Sequence, residues 1–244
     1  MRVVKAAAFT AAAIFMAAAL NVPASAAVTF MAEGAPTPPP SGFSALCQEN
    51  ESACVGPAPM SGKQIHQAAN RVAPVALTRE EWASLQRLNR EINTRIRPAS
   101  DMSLYGVEEY WVDPLAQHLF DRTYVAAGDC EDVALAKRDA LEASGWPVED
   151  MFLAVGYHRE LGLHTVLIVR TQRGDLVLDS RTPWVTEWSD APYIWTKRQV
   201  SGDSKQWIKP YAGSEAGAML ASTIEASGGD QTAVATPPLD RSVH

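Results

Sequence analysis

The chain has 244 residues, with 21 basic against 28 acidic side chains and a formal charge of −7 at neutral pH. No Lys/Arg-rich run interrupts that balance, so the molecule's field excludes nucleic acid and anionic lipid surfaces as natural partners. The length allows one sizeable core, with some residues spent on tails.

In chain order, the first predicted element is an export signal over residues 1–26. Arg2 and Lys5 form a positive start, residues 6–20 an apolar run too short to span a bilayer comfortably, and Ala24, Ser25 and Ala26 a signal-peptidase site. Without Arg2 and Lys5 the bases fall to 19 against 28 acids, a charge of −9. No later segment has the length and apolarity of a membrane span, so the expected mature protein is periplasmic or secreted.

Residues 27–60 read as an extended lead-in, stiffened by Pro36, Pro38, Pro39 and Pro40 and followed by a disulfide loop. Cys47 and Cys54 lie close together in a polar stretch of an exported chain, where a disulfide is the plain reading. Cys130 is then the odd cysteine, either a buried bystander or a reactive thiol.

The main domain is expected over residues 61–211. Thr78 and Glu81 form a capping box, and Trp82, Leu85, Leu88, Ile92 and Ile96 a helical stripe that Pro98 stops. Asp113 and Pro114 signal a second helix running from Leu115 to Phe120. Gly128, Asp129 and Cys130 open a third, closed by Gly145, with small residues Val133, Ala136, Ala140 and Ala143 suited to packing on a sheet. The period then changes. Residues 151–157, 163–170 and 175–179 are short β-rich runs separated by glycines, and residues 193–200 and 206–208 offer more. Helices first and antiparallel strands after predict an α+β domain with the helices on one face of the sheet. Residues 212–244, poor in large apolar side chains, are expected to be a disordered tail.

The chemistry gathers around Cys130. At a helix N-terminus, unpaired N–H groups and the dipole favour its thiolate. His164 lies in one predicted strand and Asp179 ends the next, so a neighbouring pair can set an imidazole beside a carboxylate. His158 competes as a base, but it falls at a strand end beside Arg159 and Glu160 and reads as a turn residue. Asp129, Glu131 and Asp132 pose a separate problem: as a cap and dipole partners they are ordinary, yet carboxylates beside a nucleophilic thiol oppose its ionisation. A bound cation would relieve that conflict.

The run Gly128-Asp129-Cys130-Glu131-Asp132, then His164-Thr165-Val166-Leu167, then Leu178-Asp179-Ser180 resembles the bacterial transglutaminase-like cysteine peptidases, a family that includes periplasmic adhesin-cleaving proteases controlling biofilm attachment. The likeness covers roughly residues 36–210, including Tyr105 to Trp111, the Cys47/Cys54 segment and Lys197-Arg198-Gln199. It implies a papain/transglutaminase-like core, with Cys130 as nucleophile, His164 as base and Asp179 holding the imidazole. The implied reaction is peptide hydrolysis through an acyl-thioenzyme, with the Cys130 backbone N–H as an oxyanion donor. Acyl transfer to an amine shares the same residues, and a non-catalytic protein-binding module is the reading from another class. The resemblance also implies Ca²⁺ held by Asp129 and Glu131, a surface adhesin as protein substrate, and a cyclic-di-GMP-responsive membrane receptor as regulator. Two positions depart from the family's pattern, Thr165 where Ala is usual after the histidine and Ser180 where Asn is usual after the aspartate. The spacing between Asp113 and Gly128 differs as well.

Overall fold

Proline-fixed dihedrals carry the chain into the domain as an extended strap. The computed structural model describes residues 28–54 and 74–210. The expected signal peptide, the tail over 212–244 and the junction between lead-in and domain at residues 60 and 61 lie outside them. The strap contributes a two-residue strand, β1 (Pro36–Thr37), and then becomes a helix, α1 (Ser41–Glu49). A 3₁₀ turn (Glu51–Cys54) returns Cys54 to Cys47, and the two form the disulfide. The lead-in is therefore more than extended chain. Phe43 of α1 is buried edge-on against Trp111 and Trp207, which anchors the helix in the main core.

Helix α2 (Arg79–Arg95) starts at the capping box: Thr78 Oγ1 accepts from the Glu81 N–H at 3.2 Å and Glu81 Oε2 from the Thr78 N–H at 2.7 Å. It stops one turn short of Pro98, because Ile96–Pro98 leaves as strand β2. A short helix, α3 (Asp101–Tyr105), follows, and then β3 (Ala126–Gly128), which pairs in parallel with β2. The helix expected from Leu115 to Phe120 does not form; that stretch is a series of turns. Asp113 Oδ1 does accept the Leu115 N–H at 2.8 Å, as a start signal would. The N–H groups of Ala116, His118 and Asp121, however, each bond three residues back, to Asp113, Leu115 and His118, and the Arg95 guanidinium holds the His118, Leu119 and Asp121 carbonyls at 2.6, 3.0 and 2.9 Å, which fixes the stretch as turns.

Helix α4 (Cys130–Ala143) is the third predicted helix, at its predicted place. Six strands complete the domain: β4 (Met151–His158), β5 (Gly162–Thr171), β6 (Gly174–Leu178), β7 (Thr186–Glu187), β8 (Ile194–Val200) and β9 (Asp203–Ile208). They join β1 in one antiparallel sheet of order β1-β9-β8-β4-β5-β6-β7.

Both faces of that sheet are buried, which is why its central strands read as near-continuous apolar runs. Leu153, Val155, Leu167, Val169, Leu176 and Leu178 meet the helices through Leu85, Ala134, Leu135 and Leu141. Phe152, Ala154, Val166, Ile168 and Val177 face the other way, onto Met31 and Trp195. The strap covers this second face and is tied to it. Met31 N–H donates to Asp175 Oδ2 at 2.8 Å, and the buried Arg198 donates to the Met31 and Ala32 carbonyls. The small residues Val133, Ala136 and Ala140 pack against Ile92, Ile96, Leu115 and Ala126 rather than on the sheet, so they set the approach of α4 to α2. Among the described residues no helix is long and apolar enough to cross a membrane.

Candidate active site

Strand β3 delivers the chain directly into α4, so Cys130 opens the helix with Asp129 at the N-cap position. Gly128 must be glycine here, since a Cβ would lie 2.5 Å from Asp132 Oδ2. Asp132 is fully buried in the first turn, and its Oδ1 accepts the Val112 N–H at 3.0 Å. The half-buried Cys130 thiol donates to Glu131 Oε2 at 3.1 Å and receives the Thr165 N–H at 3.4 Å. Sγ thus rests on the β5 main chain next to His164. Because Thr165 reaches the thiol through its backbone, the side chain that departs from the family's usual alanine leaves this contact intact.

His164 and Asp179 are both buried and in direct contact, Nε2 to Oδ1 at 2.8 Å. Asp179 lies one residue beyond β6 and collects further donors, the Arg181 N–H on Oδ1 at 2.9 Å and the Tyr193 hydroxyl on Oδ2 at 2.5 Å. Burial by itself would raise this carboxyl, but the contacts with His164, Tyr193 and Arg181 outweigh it and hold Asp179 well below the usual carboxylate range. With Nε2 committed to Asp179, Nδ1 is the ring nitrogen left to serve a thiol. No hydrogen bond joins Cys130 to His164 among the described residues. Contacts of that kind often tighten only when substrate is bound.

The main chain around Asp179 is clamped from two helices. Asn93 Nδ2 donates to the Asp179 and Thr182 carbonyls at 2.9 and 3.0 Å, and Asn89 Nδ2 to the Thr182 carbonyl at 2.9 Å. From α4, Lys137 Nζ reaches the Leu178 carbonyl at 3.3 Å. Burial pushes the Lys137 amine down to about 7, with the Asp179 charge opposing the shift. No sequence motif singles out Asn89, Asn93 or Lys137. The signals available were faint: two asparagines one turn apart beside an apolar stripe, and a lysine two turns after Cys130 among alanines and leucines. His158 ends β4 at a turn, where its Nδ1 accepts the Glu160 N–H at 3.2 Å.

Beside the thiol lies a cluster of carboxyls. Asp129 occupies the N-cap position without making a side-chain capping bond. Its carboxylate, that of Glu131 and that of Asp101 from α3 each bring an oxygen within 4.8 Å of the others. Asp101 is far away in sequence and carries no motif of its own; one of its oxygens accepts the Tyr110 N–H. Asp101 Oδ1, Asp129 Oδ1 and Asp132 Oδ2 are buried without a partner. Burial raises every member: Asp101 to about 6, Asp132 to about 8, Asp129 above its usual value, and Glu131 well above its own with the Asp129 charge adding. The same burial, with the charges of Glu131 and Asp129, pushes the Cys130 thiol well up. Buried carboxylate oxygens without donors are costly unless a proton or a cation satisfies them, and an all-oxygen set is what a hard cation such as calcium takes. The residues present fit that ion.

A family model described as bacterial transglutaminase-like cysteine proteinase (BTLCP) matches residues 33–215. Among solved structures the chain is similar to Legionella pneumophila LapG in its calcium-bound form, at 20% identity and a TM-score of 0.40, covering 64% of this chain and 91% of that one. LapG treated with EGTA is similar at 20% identity and a TM-score of 0.42, over 58% of this chain and 78% of that one. No curated protein matches.

Proposed function

The chain belongs to the bacterial transglutaminase-like cysteine proteinases, and from that membership we propose that it hydrolyses peptide bonds of a cell-surface or periplasmic protein, with Cys130 as nucleophile, His164 as base and Asp179 as the group that orients the base. The observation that carries this reading is the buried His164–Asp179 bond at 2.8 Å beside a thiol on a helix N-terminus. Sγ attacks the substrate carbonyl while its proton passes to His164 Nδ1, and the Cys130 backbone N–H faces the developing oxyanion. His164 returns the proton to the leaving amine. Water, deprotonated by His164, then cleaves the thioester, and the carboxylate departs as the thiol is restored. Sγ must turn from Glu131 toward His164 before the first step.

Asp129 and Glu131, joined by Asp101, are the residues that would hold a calcium ion. When bound it would supply positive charge against the carboxylate field on Cys130. A periplasmic site of action is supported by the disulfide, which persists in oxidising compartments. The proposed substrate is a surface adhesin and the proposed regulator a membrane receptor, both drawn from the resemblance of the Gly128–Asp132 box and its partners. The test compares proteins shed from cells carrying the wild-type enzyme with those from cells carrying Cys130→Ala. The expected result is a surface protein released with a new terminus by the wild type and retained by the variant. Identical release from both removes the reading, and a new amide cross-link in place of a new terminus converts it to acyl transfer.

A further inference from the structure

In the β4–β5 pairing, His164 stands opposite Gly156. Glycine in mid-strand sacrifices packing and marks a place where something approaches closely. Here that neighbour is Tyr193, just before β8: a Cβ on Gly156 would lie 2.6 Å from the Tyr193 Cβ. The gap beside the histidine lets the tyrosine ring lie over the imidazole, with centroids 5.5 Å apart and planes 22° from parallel. Trp195, at 5.3 Å, and the edge of His158, at 6.0 Å, hold the ring from its other sides. Its hydroxyl reaches past the imidazole to Asp179 Oδ2 at 2.5 Å. One side chain thereby touches both members of the pair.

We infer that Tyr193 is a positioning residue for the His164–Asp179 pair, its hydroxyl fixing the carboxylate and its ring fixing the imidazole, an assignment that rests on the triad proposed above. A carboxylate held at Oδ2 cannot swivel, so Oδ1 stays aimed at Nε2 and the proton stays there, leaving Nδ1 for the thiol. The flat contact with the ring restricts rotation of the imidazole about its Cβ–Cγ bond. The ring's electron-rich face also favours the imidazolium that forms when the thiol gives up its proton. Burial and the Asp179 charge push the Tyr193 hydroxyl above its usual value, so it remains a donor. Sequence alone does not carry this assignment, because it depends on the register that sets Gly156 against His164.

The test uses the full calcium-supplemented chain with Tyr193→Phe, which removes the hydroxyl, and Tyr193→Leu, which removes the ring as well. Tyr193 is half-buried, so both variants should fold. Two quantities are read: the second-order rate constant for alkylation of Cys130 by iodoacetamide at pH 7, and the low-field proton resonance of the His164–Asp179 hydrogen bond. Losing a hydrogen bond to a charged group should slow alkylation roughly tenfold or more in Tyr193→Phe, with Tyr193→Leu a further few-fold slower. The low-field resonance should shift in the first and broaden in the second, which a packing role alone would not produce. Rates within twofold of wild type and an unmoved resonance in both variants overturn the assignment. Asp179→Ala separates this from failure of the triad: if it too is alkylated at the wild-type rate, the triad proposal falls; if it alone is slow, only the role of Tyr193 falls.

Discussion

A lone carboxylate and a carboxyl cluster lie around the same site, and the protein treats the two groups in opposite ways. Asp179 is surrounded by donors: His164, the Arg181 N–H and the Tyr193 hydroxyl on its oxygens, with Asn93 on its main-chain carbonyl. Its charge is the stable state, and its carboxyl is held below the usual range. Asp101, Asp129, Glu131 and Asp132 are raised instead, and three of them keep a buried oxygen without a partner. The chain completes the first group out of its own side chains and main chain and leaves the second to be completed by protons or a cation. A buried acid close to a nucleophile therefore says little about mechanism until its donors are counted.

The largest expected effect breaks the completed group at its center. His164→Ala should lower peptide hydrolysis by several orders of magnitude, whereas His158→Ala should stay within a few-fold of wild type. Equal damage in steady-state kinetics would mean the base has been misassigned. The next effect concerns the incomplete group. Removing divalent ions with EGTA should lower activity, added Ca²⁺ should restore it, and Mg²⁺, which demands a regular octahedral shell, should do so poorly. Calorimetric titration should show Asp101→Asn binding Ca²⁺ at least about tenfold more weakly, in line with the loss of a charged ligand. Full activity after exhaustive EGTA dialysis would leave those carboxyls satisfied by protons alone.

Smaller effects should come from the clamps. Asn93→Ala strips the side-chain donor from the Asp179 carbonyl and leaves Thr182 with Asn89 alone, and it should lower kcat on the order of tenfold, with KM little changed. Lys137→Met should stabilise the fold, since a fully buried amine with a single carbonyl bond gives way to an apolar chain of similar length. The sign with pH follows from its depression from 10.5 to about 7. Across that window the unfolded chain binds the proton and the folded one does not, so wild-type stability rises with pH. Denaturant titrations of Lys137→Met should show a flatter pH dependence and its largest gain near or below neutrality.

The contrast between the two groups also marks what the sequence could disclose. The central strands are legible because Gly162 and Gly174 separate the apolar runs, and α4 because Gly128-Asp129-Cys130 announces a start and Gly145 an end. Asp129 and Glu131 stand out by adjacency to Cys130, whereas Asp101 comes beside them through the pairing of β2 with β3, which sets Pro98 against Gly128. The stretch expected as a helix after Pro114 is a series of turns whose last carbonyls are held by Arg95, a residue distant in the chain. Tyr193, Asn89, Asn93 and Lys137 were missed for the same reason. Each acts on Asp179, His164 or the loop that follows through strand register or helix packing, and nothing local in the sequence encodes either.

The central claim, that Cys130 carries the acyl group, is tested most directly by mass spectrometry of enzyme quenched in acid during turnover of the protein that wild-type cells release. The account predicts a hydroxylamine-labile acyl adduct on the peptide containing Cys130, absent from Cys130→Ala, which should not turn over at all. Cleavage by Cys130→Ala, or wild-type turnover with Cys130 unmodified at every quench time and instead an adduct on another residue, would contradict it.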